Sequence, residues 1–100
     1  MKILIDERTK TVMPWTGSPG PVLTEHDIDA FRAVLTYHSV ERGRSACTFY
    51  FKEEDTGDLM PFRLTEFEKL IPLLENGAIY GHFEFDKKGT SISLKLIEKL

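Results

Sequence analysis

The chain has 100 residues, of which 41% are hydrophobic and 29% are charged, and its formal net charge is −3. This near-average composition argues against intrinsic disorder, and a chain of this length corresponds to one domain. A mildly acidic domain also does not coat nucleic acid non-specifically, since that requires a basic face. We therefore predict a single compact domain over residues 1–100, with one core that needs neither a disulfide nor a metal.

The sequence holds no membrane or export signal that we can identify. No apolar run approaches the ~20 residues of a membrane span, and the apolar start of the chain is too short for a signal peptide. The expected location is the cytoplasm, with no membrane contact. The lone Cys47 cannot form an internal disulfide, so we interpret it as a small buried hydrophobe, with a reactive thiol as the alternative.

The first quarter of the chain predicts a hairpin and a loop. Ile3 and Ile5 alternate with their neighbours, and residues 11–13 resume the apolar character, which is typical of two short strands. Residues 14–21 contain three Pro and two Gly, so they cannot continue a helix or a central strand. This loop carries Trp15, which either covers the edge of the core or serves as an anchor for a partner.

Residues 25–38 predict the first helix. Thr24 is a favourable N-cap residue, and apolar side chains then recur at helical spacing at Ile28, Phe31 and Val34. The stretch therefore predicts an amphipathic helix with one apolar face.

A second hairpin follows, with strands over residues 46–52 and 59–63. Phe49 and Phe51 alternate with polar residues in the first strand. Pro61 cannot donate a backbone hydrogen bond, so it favours a sheet edge for the second strand.

The second helix begins at a capping box, Thr65 to Glu68, and ends at Asn76-Gly77, where left-handed residues are expected. Pro72 lies inside this helix and predicts a kink or a break.

The last quarter predicts a third hairpin, with strands over residues 79–85 and 92–96 and a turn at residues 86–89. The complete order is ββαββαββ. It predicts an α+β domain with two layers, in which both amphipathic helices pack on one face of a mostly antiparallel sheet.

Catalytic and metal-binding patterns are not visible in the sequence. His26 and His38, twelve residues apart on one predicted helix, point about 120° from each other and cannot bind one ion together. No motif places a nucleophile beside a base. We predict that the protein is not an enzyme and needs no cofactor; a hydrolase or transferase that uses His82 with Glu84 is a distant alternative.

Charged and aromatic residues suggest binding surfaces instead. The acidic turn at residues 53–58 does not match a calcium loop, and it is either a solvated turn or a patch for a basic partner. Arg42 and Arg44 form either a solvated connection or a site for phosphate or an acidic surface. Tyr80 and His82 lie on the same face of one predicted strand. Tyr50 would extend this face if its own strand lies alongside. The candidate binding residues are Trp15, Arg42, Arg44, Tyr50, Glu53, Glu54, Asp55, Asp58, Tyr80 and His82.

These features predict a non-enzymatic protein-binding domain. We expect it to be a monomer or a homodimer that forms through an edge strand. A small inhibitor or adaptor, for example one encoded by a virus or mobile element against a host enzyme or defence system, is one form of it. The alternative is a small nucleic-acid-binding module that uses Arg32, Arg42 and Arg44 with the aromatic sheet face.

Overall fold

The structure is a computed structural model that describes residues 2–7, 10–13, 23–44, 46–88 and 91–100. The predicted loop with Trp15 and the predicted turn residue Gly89 lie outside these residues, as do Arg8 and Thr9 between the two strands of the first hairpin.

The described residues contain eight strands that form one sheet. The strands are β1 (Lys2–Asp6), β2 (Thr11–Met13), β3 (Leu23–Asp27), β4 (Ala30–Arg42), β5 (Cys47–Glu53), β6 (Leu59–Arg63), β7 (Ala78–Lys88) and β8 (Ser91–Lys99). Their order across the sheet is β3-β1-β2-β6-β5-β4-β7-β8. Neighbours are antiparallel except β2 and β6, which are parallel and paired at Thr11 and Leu59.

The three predicted hairpins are confirmed, although the third one turns later than predicted, because residues 86–88, which the sequence placed in the turn, continue β7. β1 pairs with β2, β5 with β6, and β7 with β8, each in antiparallel register. In the third hairpin, one face is buried and includes Phe83, Phe85 and Leu94. Gly81 provides room on this face, since a Cβ there would lie 2.8 Å from Leu96 Cδ1. Alternation of apolar and polar residues therefore identified these strands correctly.

The predicted two-layer α+β arrangement is wrong, because residues 25–38 are not a helix. They lie in β3 and in β4, a 13-residue strand that pairs with β5 on one side and with β7 on the other. Phe31, Ala33 and Leu35 point to the core at every second position, a period-two pattern that the helical spacing of Phe31, Val34 and Leu35 obscured. Pairing on both sides outweighs the local N-cap signal at Thr24.

One short helix, α1 (Leu64–Leu70), is present in the described residues, and a 3₁₀ turn (Ile71–Leu73) continues it. The predicted capping box is wrong, because the helix begins one residue before Thr65 and has Arg63 at its N-cap without a side-chain hydrogen bond. Of the kink or break predicted at Pro72, the structure shows a break, since the α-helix ends at Leu70 and the proline lies in the 3₁₀ turn.

The expected left-handed residues at Asn76-Gly77 are confirmed, but they form a tight turn that leads into β7. Their φ angles are 53° and 78°. Glu75 and Ala78, on either side, exchange two backbone hydrogen bonds of 2.8 and 3.0 Å. Both φ values are those of a two-residue hairpin turn, for which Asn-Gly is the preferred sequence.

Pro61 does not mark an outer edge of the sheet, since β6 lies between β2 and β5. The Leu59 N–H donates to the Lys10 carbonyl on the β2 side. Alternate residues of a strand direct their N–H groups to the same side, so the missing N–H of Pro61 also faces β2. The pairing with β2 has ended by that point, and the proline therefore removes no ladder hydrogen bond.

The sheet curls into a half-barrel around one core. β6 packs against β8, which is four positions away in the sheet order, and α1 packs against β5, β6 and β8. The largest fully buried side chains are contributed by β1, β2, β4, β5, β6, α1, β7 and β8. They are Ile3, Val12, Leu35, Phe51, Phe62, Leu70, Phe83 and Leu94.

Ser93 is a polar exception in this interior, and its replacement should stabilise the protein. The residue is 3% exposed, and its Oγ has no hydrogen-bond partner among the residues that the structure describes. A buried hydroxyl without a partner costs about 1–3 kcal/mol, so Ser93→Ala should raise the free energy of unfolding by about 1 kcal/mol in urea denaturation. The matched control is Ser39→Ala, because the Ser39 hydroxyl bonds to His38 Nδ1 at 2.8 Å; this variant should not be more stable than the wild type. A Ser93→Ala protein less stable than the wild type would contradict the assignment of an unpaired hydroxyl.

Candidate functional site

Four exposed apolar side chains surround α1 and the adjoining half of β4. Tyr37, Val40, Leu64 and Ile71 are 40%, 47%, 50% and 52% exposed. Leu64 and Ile71 lie three residues before and four residues after Phe67, so all three share one helix face. We refer to these side chains and their two half-buried neighbours as the aromatic patch, which consists of Tyr37, Val40, Phe49, Leu64, Phe67 and Ile71.

Ring contacts hold the aromatic patch together. The Phe49 and Phe67 rings stack with centroids 3.9 Å apart and planes 4° apart. Tyr37 lies 5.8 Å from Phe67 on the other side and contacts the buried Phe51 edge-on at 5.7 Å. Val40 is opposite Phe49 in the β4–β5 register. The patch is therefore fixed to the core and does not depend on a ligand for its shape.

A bulge in β4 brings Val40 to this face. The register with β5 shifts between Tyr37 and Ser39, so that His38 is an extra residue in β4. The alternation of side chains changes at such a bulge. Val40 thus lies on the same face as Tyr37, although the two are three residues apart, and no pattern in the sequence indicated this bulge.

Two arginines lie at one end of the aromatic patch. Arg42 is opposite Cys47 in the register, two positions beyond Val40, and so projects from the same face of the sheet. Arg44 follows two residues later, and both side chains are exposed. Within the described residues neither guanidinium makes an ion pair or a hydrogen bond. The pair predicted from sequence therefore adjoins an apolar surface that the sequence did not reveal.

The acidic turn between β5 and β6 is built around Glu53, which is only 6% exposed. Its Oε1 accepts a hydrogen bond from the Asp55 N–H at 3.1 Å, and its Oε2 accepts two from Thr56, at 2.6 Å from N and 2.7 Å from Oγ1. Burial raises the pKa of the Glu53 carboxyl, but the hydrogen bonds from Thr56 and Asp55 outweigh burial and leave the pKa below its ordinary value. Glu53 thus organises the turn and is not itself an exposed binding residue.

A cavity of about 270 Å³ lies beside this turn. Its floor is formed by apolar side chains of β1, β4, β6 and β7. Asp55, Thr56 and Asp58 of the turn form one wall, and Arg32 and His26 lie on another. Glu54 belongs to the same turn but does not line the cavity, since it is exposed and its N–H donates to the Val34 carbonyl at 3.0 Å.

The aromatic residues predicted for a sheet face do not form one cluster. Tyr80 and His82 lie on β7 opposite Val34 and Arg32 of β4. Tyr50 lies on β5, on the far side of β4, where its hydroxyl donates to Glu41 Oε2 at 3.3 Å. Burial raises the pKa of Tyr50, and the charge of Glu41 and the hydrogen bond to it raise the pKa further.

The basic residues of the nucleic-acid hypothesis are also separated. Arg32 and Arg42 are ten residues apart on the extended strand β4, which corresponds to about 33 Å. Arg32 lies opposite His82 of β7, whereas Arg42 lies opposite Cys47, at the end of β4 next to the aromatic patch.

His82 and Glu84, the distant candidates for catalysis, line neither of the two cavities described for this chain, of about 270 and 250 Å³. The Glu84 carboxylate is 3.6 Å from Lys95 Nζ. In the part of the chain that the structure describes, no group of three His, Cys, Asp or Glu side chains is arranged to hold a metal ion. The helices among those same residues include none long and apolar enough to span a membrane.

The fold and these surfaces define a half-barrel sheet domain with one helix, an apolar aromatic patch and a separate acidic-walled cavity. No protein-family model, no curated protein and no solved structure matches the chain.

Proposed function

We propose that the protein is a protein-binding domain and that the aromatic patch is its docking surface. The observation that carries this proposal is the concentration of four exposed apolar side chains on an ordered surface that ends in two arginines, neither of which is paired within the described part of the chain. Aromatic residues and arginine are enriched at the centres of protein interfaces. An inhibitor or adaptor that covers a surface of its partner would use such a patch.

The chemistry of the patch favours one kind of partner. Tyr37, Val40 and Phe67 offer apolar contact area, whereas Arg42 and Arg44 offer guanidinium groups that pair with carboxylates. The complementary surface is a protein segment that presents apolar side chains followed by Asp or Glu. The stacked rings are already ordered, so binding would cost little side-chain entropy.

Nucleic acid is less well supported as the partner. Arg32 lies about 33 Å along β4 from Arg42, and Tyr50 is on the opposite side of β4 from Tyr80. A phosphate backbone would have to contact separate parts of the domain to use these residues together.

Selection from a random peptide display library against the complete chain tests the proposal. We expect the enriched peptides to combine apolar residues with Asp or Glu and to bind more weakly at higher salt. Val40→Glu and Arg42→Glu should each lower the affinity for the enriched peptides by about tenfold or more, since a loss of about 1.4 kcal/mol in binding free energy has that effect.

Two control variants make the same chemical changes elsewhere. Ile97 is 48% exposed but lies outside the aromatic patch, so Ile97→Glu matches Val40→Glu. Lys52 is exposed and lies opposite Thr36 on the other face of the sheet, so Lys52→Glu matches Arg42→Glu. Both controls should leave peptide affinity within about twofold. Failure to enrich any peptide, or equal losses in the patch and control variants, would refute this docking surface.

A further inference from the structure

The cavity beside the acidic turn suggests a ligand site that is independent of the aromatic patch. Its volume of about 270 Å³ corresponds to roughly nine water molecules at liquid density. An apolar cavity of about 150 Å³ accepts a benzene-sized molecule, so this one has room for a larger ring or a branched chain.

The floor of the cavity is apolar. Ile3, Ile5, Ala33, Met60 and Phe85 contribute to it, and all five are buried. They belong to β1, β4, β6 and β7, so the curl of the sheet forms this floor from strands that are distant in sequence. An apolar group placed against this floor would lose contact with water on that side, which is favourable.

The charges around the cavity are predominantly negative. The described lining includes three acidic residues, Glu53, Asp55 and Asp58, against one arginine, Arg32. Neither Asp55 nor Asp58 forms an ion pair among the described residues. An anionic ligand would be repelled by this wall, and a cationic one attracted to it.

Lys10 is a described cation that feels the charge of Asp58, and it is already paired. Its Nζ lies 2.8 Å from Glu7 Oε2. The hydrogen bond to Glu7 and then the charge of Glu7 raise the pKa of Lys10 most, and Asp58 adds a smaller effect. The Asp58 carboxylate therefore remains available for a second cation.

The acidic wall is already ordered without a ligand. The three hydrogen bonds that Glu53 accepts fix the backbone at Asp55 and Thr56, and the Asp58 N–H donates to Thr56 Oγ1 at 3.2 Å. Gly57 completes the turn with a φ of 77°, which strongly favours glycine. A ligand would find the carboxylates in place, so little of its binding energy would be spent on ordering the turn.

We propose that this cavity binds a small amphiphilic amine, with its ring or chain on the apolar floor and its ammonium group beside Asp55 and Asp58. The apolar floor selects for the body of the ligand, and the carboxylates select for the sign of its charge.

Two probes that share a ring but differ in charge test this site. Tryptamine carries an ammonium on an indole side chain, and indole-3-propionate carries a carboxylate. In NMR titrations of the complete chain, tryptamine should saturate with a Kd in the millimolar range or below and shift the methyl signals of Ile3, Ile5 and Met60. Indole-3-propionate should bind at least about tenfold more weakly, as a charge interaction of 1.4 kcal/mol requires.

The variants assign the charge selectivity to the turn. Asp55→Asn combined with Asp58→Asn should raise the Kd for tryptamine by about fivefold or more and reduce the preference of the protein for tryptamine over indole-3-propionate. Glu54→Gln, in the same turn but outside the cavity, should leave the Kd within about twofold. Absence of saturable tryptamine binding in a titration up to about 10 mM, equal affinity for both probes, or an equal loss in Glu54→Gln would each overturn the site.

Discussion

Phe51→Ala should lower the free energy of unfolding by about 3–5 kcal/mol, the largest loss that we expect from a single substitution. The Phe51 ring is fully buried and joins the core to the aromatic patch, with centroids 5.1 Å from Phe62, 5.7 Å from Tyr37 and 6.0 Å from Phe67. Its removal leaves a cavity and eliminates these three ring contacts. Because the free energy of unfolding of a small domain is only about 5–15 kcal/mol, urea denaturation should show a strongly lowered midpoint or an unfolded protein.

Two further variants keep this expectation testable if Phe51→Ala does not fold. Phe51→Leu retains most of the volume and should cost about 1–2 kcal/mol. Tyr80→Ala removes an aromatic side chain that is 49% exposed, and it should change stability by less than about 1 kcal/mol. A Phe51→Leu protein as stable as the wild type, or a Tyr80→Ala loss larger than that of Phe51→Leu, would contradict the central position assigned to Phe51.

Glu53→Gln should destabilise the protein by about 1–3 kcal/mol, because it replaces a buried charged acceptor by an amide. The wild-type carboxylate accepts three hydrogen bonds from Asp55 and Thr56, and the amide nitrogen of Gln cannot accept any of them. Glu54→Gln is the matched control one residue away, where the side chain is exposed, and it should change stability by less than about 0.5 kcal/mol.

The same residue predicts how stability depends on pH. The folded-state pKa of Glu53 lies below its ordinary value of 4.5, so the unfolded chain binds the proton more readily. The stabilisation is complete above the unfolded pKa and is lost as the pH falls through the folded pKa. The stability difference between wild type and Glu53→Gln should therefore be largest near neutral pH and shrink below about pH 4.5. Urea denaturation at several pH values measures it, and a difference that stays constant down to pH 3 (~1.5 pH units below the ordinary value) would contradict the assignment.

The three hairpins were predictable because each depends on contacts close in sequence. Alternation at Phe49 and Phe51, or at Phe83 and Phe85, fixes which face of a strand is buried. Asn76 and Gly77 likewise adopt left-handed angles because those residue types tolerate them. Such features need only the local chain to be specified.

β4 could not be assigned from its own residues in the same way. Its apolar residues fit both a helical and an alternating pattern, and Thr24 resembles an N-cap. The deciding interactions are the hydrogen bonds to β5 and β7, and β7 begins 36 residues after the end of β4. Long-range pairing of this kind outweighs local propensity.

The candidate surfaces show the same division. Arg42 and Arg44 were identified from sequence, as were Asp55 and Asp58, because clustered charges are visible in the residue order. Their neighbours were not visible. Val40 and Arg42 lie on the same face as Tyr37 because of a bulge at His38, and the carboxylates adjoin an apolar floor because the sheet curls.

The sequence by itself determined the three hairpins, the left-handed residues at Asn76-Gly77, an interruption at Pro72 and the positions of the charged clusters. Each of these follows from residue preferences or from alternation over a few residues. The tertiary structure decided that β4 is a strand, that α1 is the one helix of the described residues, and which apolar groups accompany each charged cluster. The physical reason is that sheet pairing and burial join residues far apart in the chain, and their energies exceed the local preferences that a sequence displays.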